Sequence, residues 1–309
     1  MYPFGILLTG KSMLKTYRSY VIGLVAVLAT GAIPLSAFAQ ADFSGGWVTK
    51  MHEDAPERSD GPEIGDYTGL PINDAARMRA DSWDAEELET LEHLCQKHSA
   101  DYAPRGPSNM RVWAEMDPFS KEITAWHTEM TYMLPQRTIY MDGRPHPSQN
   151  ALHTSQGFST GEWEEGKMKV TTTHLKEGRL RRNGLPRSPN ATLIEYFIRH
   201  HDVLTLVADV EDPAYLTEPF IRTSSWVFDE NFRFAPKHDQ CIPSASVPHS
   251  KGYVAFHLPG KNAWLTEFAS KHGIPVEAAR GGAETMYPEY QLKLANLPAP
   301  PPLPEKKQQ

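Results

Sequence analysis

Apolar and polar residues alternate with a period of two through the middle of the chain. The alternation covers the segments 111–116, 123–130, 137–141, 161–165, 167–175, 192–200, 203–210 and 220–228. This period is typical of β-strands, because successive side chains point to opposite faces. Most of the segments are joined by short polar turns. The pattern therefore predicts a mainly β protein, with an antiparallel sheet that closes into a barrel and leaves no exposed edge.

Short helices are predicted on both sides of the strand region. Segments 73–80, 84–93 and 262–272 each begin with an Asn or Asp, which are residues that cap helix N-termini. Segment 281–290 is rich in glycine and aromatic residues, and we expect it to lie across the barrel or its mouth as a lid. The barrel is thus expected to carry short N-terminal helices and a C-terminal helix with a lid segment.

The first 39 residues have the pattern of an export signal. Basic residues precede an apolar run over 21–35, and Ala37-Phe38-Ala39 gives the small-x-small pattern that signal peptidase recognises. We expect cleavage before Gln40 and a periplasmic mature protein. The alternative is an uncleaved membrane anchor, although the run is short for a span, which needs roughly 20 apolar residues.

Charge and composition restrict the partners of the mature chain. The net charge is -7 and no basic block occurs, so nucleic acid is not an expected partner. No second apolar stretch is long enough to span a bilayer, and we expect no stable membrane insertion after signal cleavage. The mature chain fits one barrel domain over 40–292, followed by a Pro-rich, disordered tail over 293–309.

The chain contains two cysteines, Cys95 and Cys241. In an exported protein such a pair usually forms a disulfide. It would join the segment before the first central strand to the segment after the last, and a loop this long stabilises the fold by about 4–5 kcal/mol in the chain-entropy model. The alternative is two free thiols, one of them a nucleophile, but neither cysteine has a convincing Cys/His setting.

The stretch 137–176 concentrates groups that bind anions or transfer protons. Its two strand-like ends enclose a loop rich in Arg, His, Ser and Gln, and loops held by strands commonly carry binding groups. Arg137 and Arg144 can hold a carboxylate through their forked donors. The candidate acid–base groups are Tyr140, His153, His174 and, from a later strand, Glu195.

Charged and large apolar residues share one face in several predicted strands. Such mixed faces are typical of a ligand cavity, which combines apolar walls with a few polar groups. The alternative is that some are outer faces, where long side chains lie along the surface. The binding residues predicted from these faces are Arg111, Trp113, His127, Arg222 and Trp226.

Other chemistries have weaker support. The histidines lack the HxH or HExxH spacing of metal sites, and we predict neither a metal nor another cofactor. GFSTG at 157–161 matches the GxSxG pattern of hydrolases, but that pattern needs a strand, a sharp turn and a helix, and the following residues indicate a hairpin. There is no phosphate-binding glycine loop and no dinucleotide fingerprint.

Six motifs along the mature chain carry a family resemblance. They are DFSGGW at 42–47, RTIYMDGRPHP at 137–147, HTSQGFSTGEWE at 153–164, TTTHLKEGRLRRNGLPRS at 171–188, EDPAYLTEPFIR at 211–222 and GGAETMYPEY at 281–290. Together they resemble a family of exported, lipocalin-like bacterial proteins of mostly unknown function. The resemblance implies a lipocalin-like barrel and export.

Some members of that family are similar to lyases of lignin-dimer catabolism that act on phenylcoumarans. Those enzymes open the furan ring and lose a side-chain carbon as carbon dioxide or formaldehyde, which gives a stilbene. The resemblance therefore implies a cofactor-independent lyase acting on a hydrophobic aromatic compound. A His or Tyr takes the phenol proton, an acid protonates the ring oxygen, and an Arg holds a carboxylate. The alternative is a periplasmic binding or carrier protein with no turnover.

Overall fold

Nine strands close into a barrel in the computed structural model, which describes residues 40–50, 62–90, 93–106, 108–234 and 249–303. Around the barrel the strands follow the order β1-β11-β10-β9-β6-β5-β4-β3-β2, and β7 and β8 form a separate small hairpin. The bounds are β1 Gly45–Lys50, β2 Met110–Met116, β3 Ile123–Met130, β4 Gln136–Tyr140, β5 Phe158–Glu164, β6 Lys167–Thr173, β7 Gly178–Arg179, β8 Pro186–Arg187, β9 Thr192–His200, β10 Val203–Glu211 and β11 Phe220–Phe228.

The predicted mainly β barrel is confirmed, but one pair of its strands departs from the antiparallel pattern. β4 and β5 run parallel, with Ile139 opposite Ser159. A hairpin turn reverses the chain, whereas residues 141–157 form a long crossing connection that brings the chain back in the same direction. The barrel is therefore mostly antiparallel, and the fully antiparallel expectation is wrong at this pair.

Aromatic side chains fill the barrel interior. Trp47, Trp126 and Trp226 are fully buried together with Phe43, whose ring meets Trp126 edge-on at 5.5 Å between centroids. The indole N–H of Trp226 donates to the Ser108 carbonyl at 3.0 Å, so its polar atom is satisfied inside the core. Because these rings occupy the interior, this part of the barrel is a packed core.

A second apolar cluster closes the other end of the barrel. Tyr67 and Ile72 from the connection between β1 and β2 pack with Leu180 and Leu185 of the β7–β8 connection and with Val210 of β10. The hairpin is closed by the Leu180 N–H, which donates to the Leu185 carbonyl at 2.8 Å. The small hairpin thus covers one end of the barrel, and this position matters for the candidate site.

Short helices surround this covered end, as the capping residues predicted. Asn73 caps the first helix by accepting a hydrogen bond from the Ala76 N–H at 3.0 Å, and Asp84 caps only a 3-10 turn where a longer helix was expected. The α-helices are α1 Asp74–Asp81, α2 Glu267–His272, α3 Val276–Ala279 and α4 Pro288–Leu294, and the 3-10 turns are Ala85–Glu89, Ala103–Arg105, Ala263–Thr266 and Ala283–Met286. In the part of the chain that the structure describes, no helix is long and apolar enough to cross a membrane.

The expected lid segment 281–290 packs against the helical cap. The Gly69 N–H donates to the Gly282 carbonyl at 2.9 Å, and Arg77 of α1 donates to the Gly281 carbonyl at 3.1 Å. At its far end the Tyr287 hydroxyl reaches Glu218, in the connection before β11, at 3.3 Å. The segment therefore lies over the residues that close the barrel end.

Three predictions fall outside the described residues. The export signal occupies 1–39, and the end of the Pro-rich tail occupies 304–309. Cys95 is described but Cys241 is not, so the Cys95–Cys241 disulfide stays a prediction.

Candidate ligand-binding site

A pocket of about 520 Å³ lies beside the β7–β8 hairpin. Its walls come from the segment 83–106, the β3–β4 turn, Ser155 and the stretch around the hairpin, and none of its described lining belongs to the nine barrel strands. The volume falls in the range of small-molecule sites. We call it the basic pocket because of the side chains that line it.

Cationic side chains dominate the described lining of the basic pocket. They are Lys97, Arg105, Lys176, Arg179, Arg181, Arg182 and Arg187, and the carboxylates are Glu89 and Glu177. Four of the arginines come from the hairpin and its turn, where Gly184 has a φ of +87°. A Cβ at Gly184 would lie 2.4 Å from the Cβ of Trp83, so the close approach requires glycine. The hairpin therefore places a group of guanidinium groups at one wall.

Arg187 supplies the most deeply buried charge of the basic pocket. The side chain is fully buried, and its Nε donates to Oδ2 of Asp101, also fully buried, at 3.0 Å. Nη1 donates to the Ser188 carbonyl at 3.3 Å, whereas Nη2 has no hydrogen-bond partner among the described residues. A buried donor without a partner costs about 1–3 kcal/mol. An anionic ligand group in this pocket would supply the missing acceptor.

Aromatic rings also line the basic pocket. The His98 ring lies 4.9 Å from the Tyr102 ring and 5.3 Å from the Tyr132 ring, between centroids. Burial, and to a smaller extent the positive charge of Arg182, lower the pKa of His98 to about 4. His98 is therefore neutral near pH 7, and its ring can accept a proton. The wall combines stacking surface with one candidate base.

The predicted acid–base groups of the stretch 137–176 lie elsewhere, on the outside of the barrel. We call residues 141–157 the histidine loop. The guanidinium of Arg144 lies 3.8 Å from the centroid of the Tyr140 ring and pairs with Asp142. The rings of His153 and His174 are 5.2 Å apart. Tyr140, Arg144, His153 and His174 therefore share one region of the outer surface.

A chain of hydrogen bonds runs through this region, and its direction can be worked out. His174 Nε2 lies 2.9 Å from the Ser148 carbonyl, which only accepts, so Nε2 carries the proton. In a neutral ring Nδ1 then accepts from the Thr173 hydroxyl at 2.7 Å. The Thr173 oxygen in turn accepts from His146 Nδ1 at 2.7 Å, and His146 Nε2 accepts from the Thr160 hydroxyl at 2.8 Å. Both ring nitrogens of His146 and of His174 are thus engaged in holding the loop.

Electrostatics favour the neutral form of the His146 ring. Burial, and then the charge that His174 would carry, lower the pKa of His146. His153 contributes a further contact, because its Nδ1 lies 2.9 Å from the Leu175 carbonyl. The histidine loop is therefore fastened to β5 and β6 by its own polar groups.

Arg137 and Glu195 form an ion pair inside the barrel. Arg137 pairs with the fully buried Glu195 and also donates to Ser159 at 2.9 Å and to Thr172 at 2.6 Å. Oε1 of Glu195 has no hydrogen-bond partner among the described residues. Arg222, on the same inner surface, donates to the carbonyls of Leu180 at 2.9 Å and Asp101 at 3.2 Å. Trp226 is also internal, so these predicted residues belong to the barrel interior.

The remaining predicted binding residues lie on the outer face of β2 and β3. The rings of Trp113 and His127 stack with centroids 5.1 Å apart, and the Arg111 guanidinium lies 4.5 Å from the Trp113 ring. The inner face of β2 carries Met110 and Val112 instead. The mixed faces of β2 and β3 therefore point outward, as the alternative of outer faces describes, whereas those of β9 and β11 point inward.

The predicted site residues are thus divided among three places: the histidine loop region, the barrel interior and the outer face of β2 and β3. None of them belongs to the described lining of the basic pocket. A sequence signal for the pocket was present in GRLRRNGLPR at 178–187, which carries four arginines within ten residues. These arginines enter the sequence analysis only within the motif 171–188, which carries part of the family resemblance.

The fold and the pocket define a closed β-barrel protein with a basic pocket, partly lined by aromatic rings, at one covered end. Comparisons with protein-family models, curated proteins and solved structures gave no match. Among the residues that the structure describes, no three His, Cys, Asp or Glu side chains come together in an arrangement that could hold a metal ion.

Proposed function

We propose that this protein binds an anionic aromatic compound in the basic pocket. The observation that carries the proposal concerns Arg187, which lines the basic pocket and whose buried Nη2 has no acceptor among the described residues. A carboxylate would accept from this donor, while the rings of Tyr102 and Tyr132 would stack with the aromatic part of the ligand.

We further propose that the bound compound is converted by a cofactor-independent lyase reaction of the phenylcoumaran type. Neutral His98 takes the proton of the substrate phenol. The phenolate expels the furan-ring oxygen, which takes a proton back, and a quinone methide remains. The bond to the carboxylate carbon then breaks, carbon dioxide leaves, and the bonding electrons form the stilbene double bond and restore the phenolate. Atoms and charge balance without an added oxidant or reductant.

The closed barrel and the six motifs support a finer assignment. We propose that the barrel is of the lipocalin-like class, that residues 1–39 direct export, and that the mature protein works in the periplasm. The basic pocket accords with such a protein because it lies at one end of the barrel and is built from connecting segments.

A carrier protein is the second candidate function. The observation that favours it is the scarcity of free proton-transfer groups in the pocket. The other lining histidine, His93, is already engaged with Thr90 at 2.9 Å and with Glu87 at 3.3 Å. A carrier needs the cations and the aromatic wall, but it does not need His98 as a base.

The test is stilbene formation from a phenylcoumaran carboxylate, followed by absorbance, with the mature protein and two matched variants. His98→Gln removes the candidate base, and His174→Gln removes a histidine of the outer surface. We expect the wild type and His174→Gln to form stilbene. We expect His98→Gln to bind substrate but to lose rate by roughly 10²–10⁴-fold, the usual contribution of a general base.

Each other result separates the alternatives. Binding by the wild type without any stilbene would favour the carrier. Loss of turnover in His174→Gln with normal turnover in His98→Gln would place the chemistry at the histidine loop. An absence of binding to the wild type would contradict the whole proposal.

A further inference from the structure

We infer that the ligand of the basic pocket carries two acidic groups at opposite ends of its aromatic body. This inference rests on the proposed function and names its substrate class more closely, as aromatic diacids. It is drawn from the way positive charge is distributed between the depth and the rim of the pocket.

The deep end of the pocket presents guanidinium groups out of contact with solvent. Arg187 is fully buried and Arg105 is 5% exposed. Arg187 keeps the Nη2 donor described above, and Gly178 packs directly against it, since a Cβ on Gly178 would lie 2.7 Å from Nη2. This end offers a fixed site for one anionic group.

The rim presents a second set of cations. Lys97, Lys176 and Arg182 line the pocket and are exposed, and none of the three forms an ion pair with any residue that the structure describes. Of the two lining carboxylates, Glu177 pairs with Arg79 at 2.9 Å, outside the pocket. The described lining holds seven cationic side chains and only these two carboxylates, Glu89 and Glu177, so its positive charge exceeds its negative charge.

An aromatic section completes the pocket. His98, Tyr102 and Tyr132 share its lining with the cations. His98 and Tyr102 are half-buried, between the buried arginines and the exposed lysines, whereas Tyr132 is 50% exposed. A single carboxylate held at the deep end leaves the rim charge uncompensated. A ligand with an aromatic body and an acidic group at each end neutralises both sets.

The rim anion would also affect the candidate base. The positive charge of Arg182 acts on His98 and disfavours its protonation. An acidic group beside Arg182 offsets that charge and makes His98 a stronger base when the ligand is bound. A bound diacid would in this way promote the transfer of its phenol proton to His98.

The test compares biphenyl-4-carboxylate with biphenyl-4,4′-dicarboxylate by titration calorimetry at pH 7.5 and low salt. We expect the mature wild-type protein to bind the diacid about tenfold more tightly or better, which corresponds to about 1.4 kcal/mol. The triple variant Lys97→Gln/Lys176→Gln/Arg182→Gln removes the rim cations, and it should keep its affinity for the monoacid within about threefold while losing the preference for the diacid.

A second triple variant, Lys121→Gln/Arg233→Gln/Lys261→Gln, is the matched control. It removes the same number of exposed positive charges at positions outside the described lining of the pocket, so it corrects for the change in net charge. The control should keep the diacid preference in full.

The outcomes distinguish the inference from the proposed function. Equal affinity of the wild type for both acids would overturn the inference and leave the proposed function in place. A diacid preference that survives removal of the rim cations, or that the control variant also loses, would overturn it as well. Binding of neither acid would contradict the proposed function, and the inference would fall with it.

Discussion

The basic pocket and the histidine loop contain the same kinds of side chains but differ in how those side chains are used. His146 of the histidine loop and His174, which holds the loop, each use both ring nitrogens in internal hydrogen bonds. Arg144 of the loop pairs with Asp142. In the basic pocket, a buried arginine donor and three exposed cations have no such partners among the described residues. A site for a ligand is therefore better recognised by its unpaired groups than by its residue types.

The backbone supports this reading of the histidine loop. His174 has a φ of +59°, in the left-handed region that costs a residue with a Cβ about 1–2 kcal/mol. Its carbonyl accepts from the Thr154 N–H at 2.9 Å, and its side chain holds the Ser148 carbonyl. The contacts around His174 offset this local strain, so its position serves the attachment of the loop.

The largest predicted effect concerns the barrel interior. Arg137→Met leaves the carboxylate of Glu195 buried without its cation, and we expect the free energy of unfolding to fall by about 3–5 kcal/mol in urea denaturation. The double variant Arg137→Met/Glu195→Leu removes both charges and should recover most of the loss. If Arg137→Met unfolds at the wild-type urea concentration and only ligand affinity is lost, Arg137 is a binding residue, as the sequence pattern suggested.

The next effect is a dependence of stability on pH that originates in the basic pocket. Folding lowers the pKa of His98 from 6.5 to about 4, so between these values the unfolded chain binds more protons than the folded one. The contribution of neutral His98 to the free energy of unfolding is therefore complete above pH 6.5. It is lost as the pH falls toward 4, and the loss is at most about 3 kcal/mol.

Urea denaturation of the wild type and of His98→Gln at pH 7 and pH 5 measures this contribution. The variant should lose less stability than the wild type on acidification. Equal losses in the two proteins would show that His98 titrates normally and is not buried in the pocket wall.

A smaller effect is expected from a single methyl group in the pocket. Gly178→Ala places a Cβ 2.7 Å from Nη2 of Arg187, which is too close for both atoms to keep their positions, and it should displace that donor while the Arg187–Asp101 pair remains. We expect the affinity for biphenyl-4-carboxylate to fall about tenfold, or about 1.4 kcal/mol. Gly106→Ala is the control, because its Cβ would meet its nearest neighbour at an ordinary 3.6 Å. Equal affinities in the two variants would show that this donor does not contact the ligand.

The smallest effect concerns the histidine loop. His146→Ala removes the contacts to Thr160 and Thr173, and we expect a loss of stability of about 1 kcal/mol with faster hydrogen exchange in the amides of residues 144–150. Ligand affinity should stay unchanged. A loss of affinity with unchanged hydrogen exchange would instead make the histidine loop the ligand site.

Much of the barrel was predictable from the sequence because alternation of polar and apolar residues is a local property. β3, β9 and β11 have the predicted bounds. Short turns, as expected, join β5 to β6 at Glu165-Gly166 and β9 to β10 at His201-Asp202. The parallel pairing of β4 with β5 could not be derived in this way, since it depends on the path of a long connection rather than on either strand.

The candidate site was harder to predict because its residues come from distant segments. The hairpin arginines meet His98 and Tyr132 only after the barrel has closed and the hairpin has covered its end. Strand alternation also gives no sign of which face is internal, so Arg111 and Arg222 had equivalent patterns but lie on opposite sides of the barrel wall. The composition of the stretch 137–176 indicated a functional site, whereas the hydrogen bonds that engage its histidines are visible only in three dimensions.

The most direct test of the central claim is to map a bound aromatic acid by NMR. Amide chemical shifts of the mature protein would be followed during titration with biphenyl-4-carboxylate, using Gly106 and Gly178 as reporters of the basic pocket and Gly143 as a reporter of the histidine loop. The account predicts saturable shifts at Gly106 and Gly178 and none at Gly143. Saturable shifts confined to the histidine loop, with the pocket reporters unchanged, would contradict it.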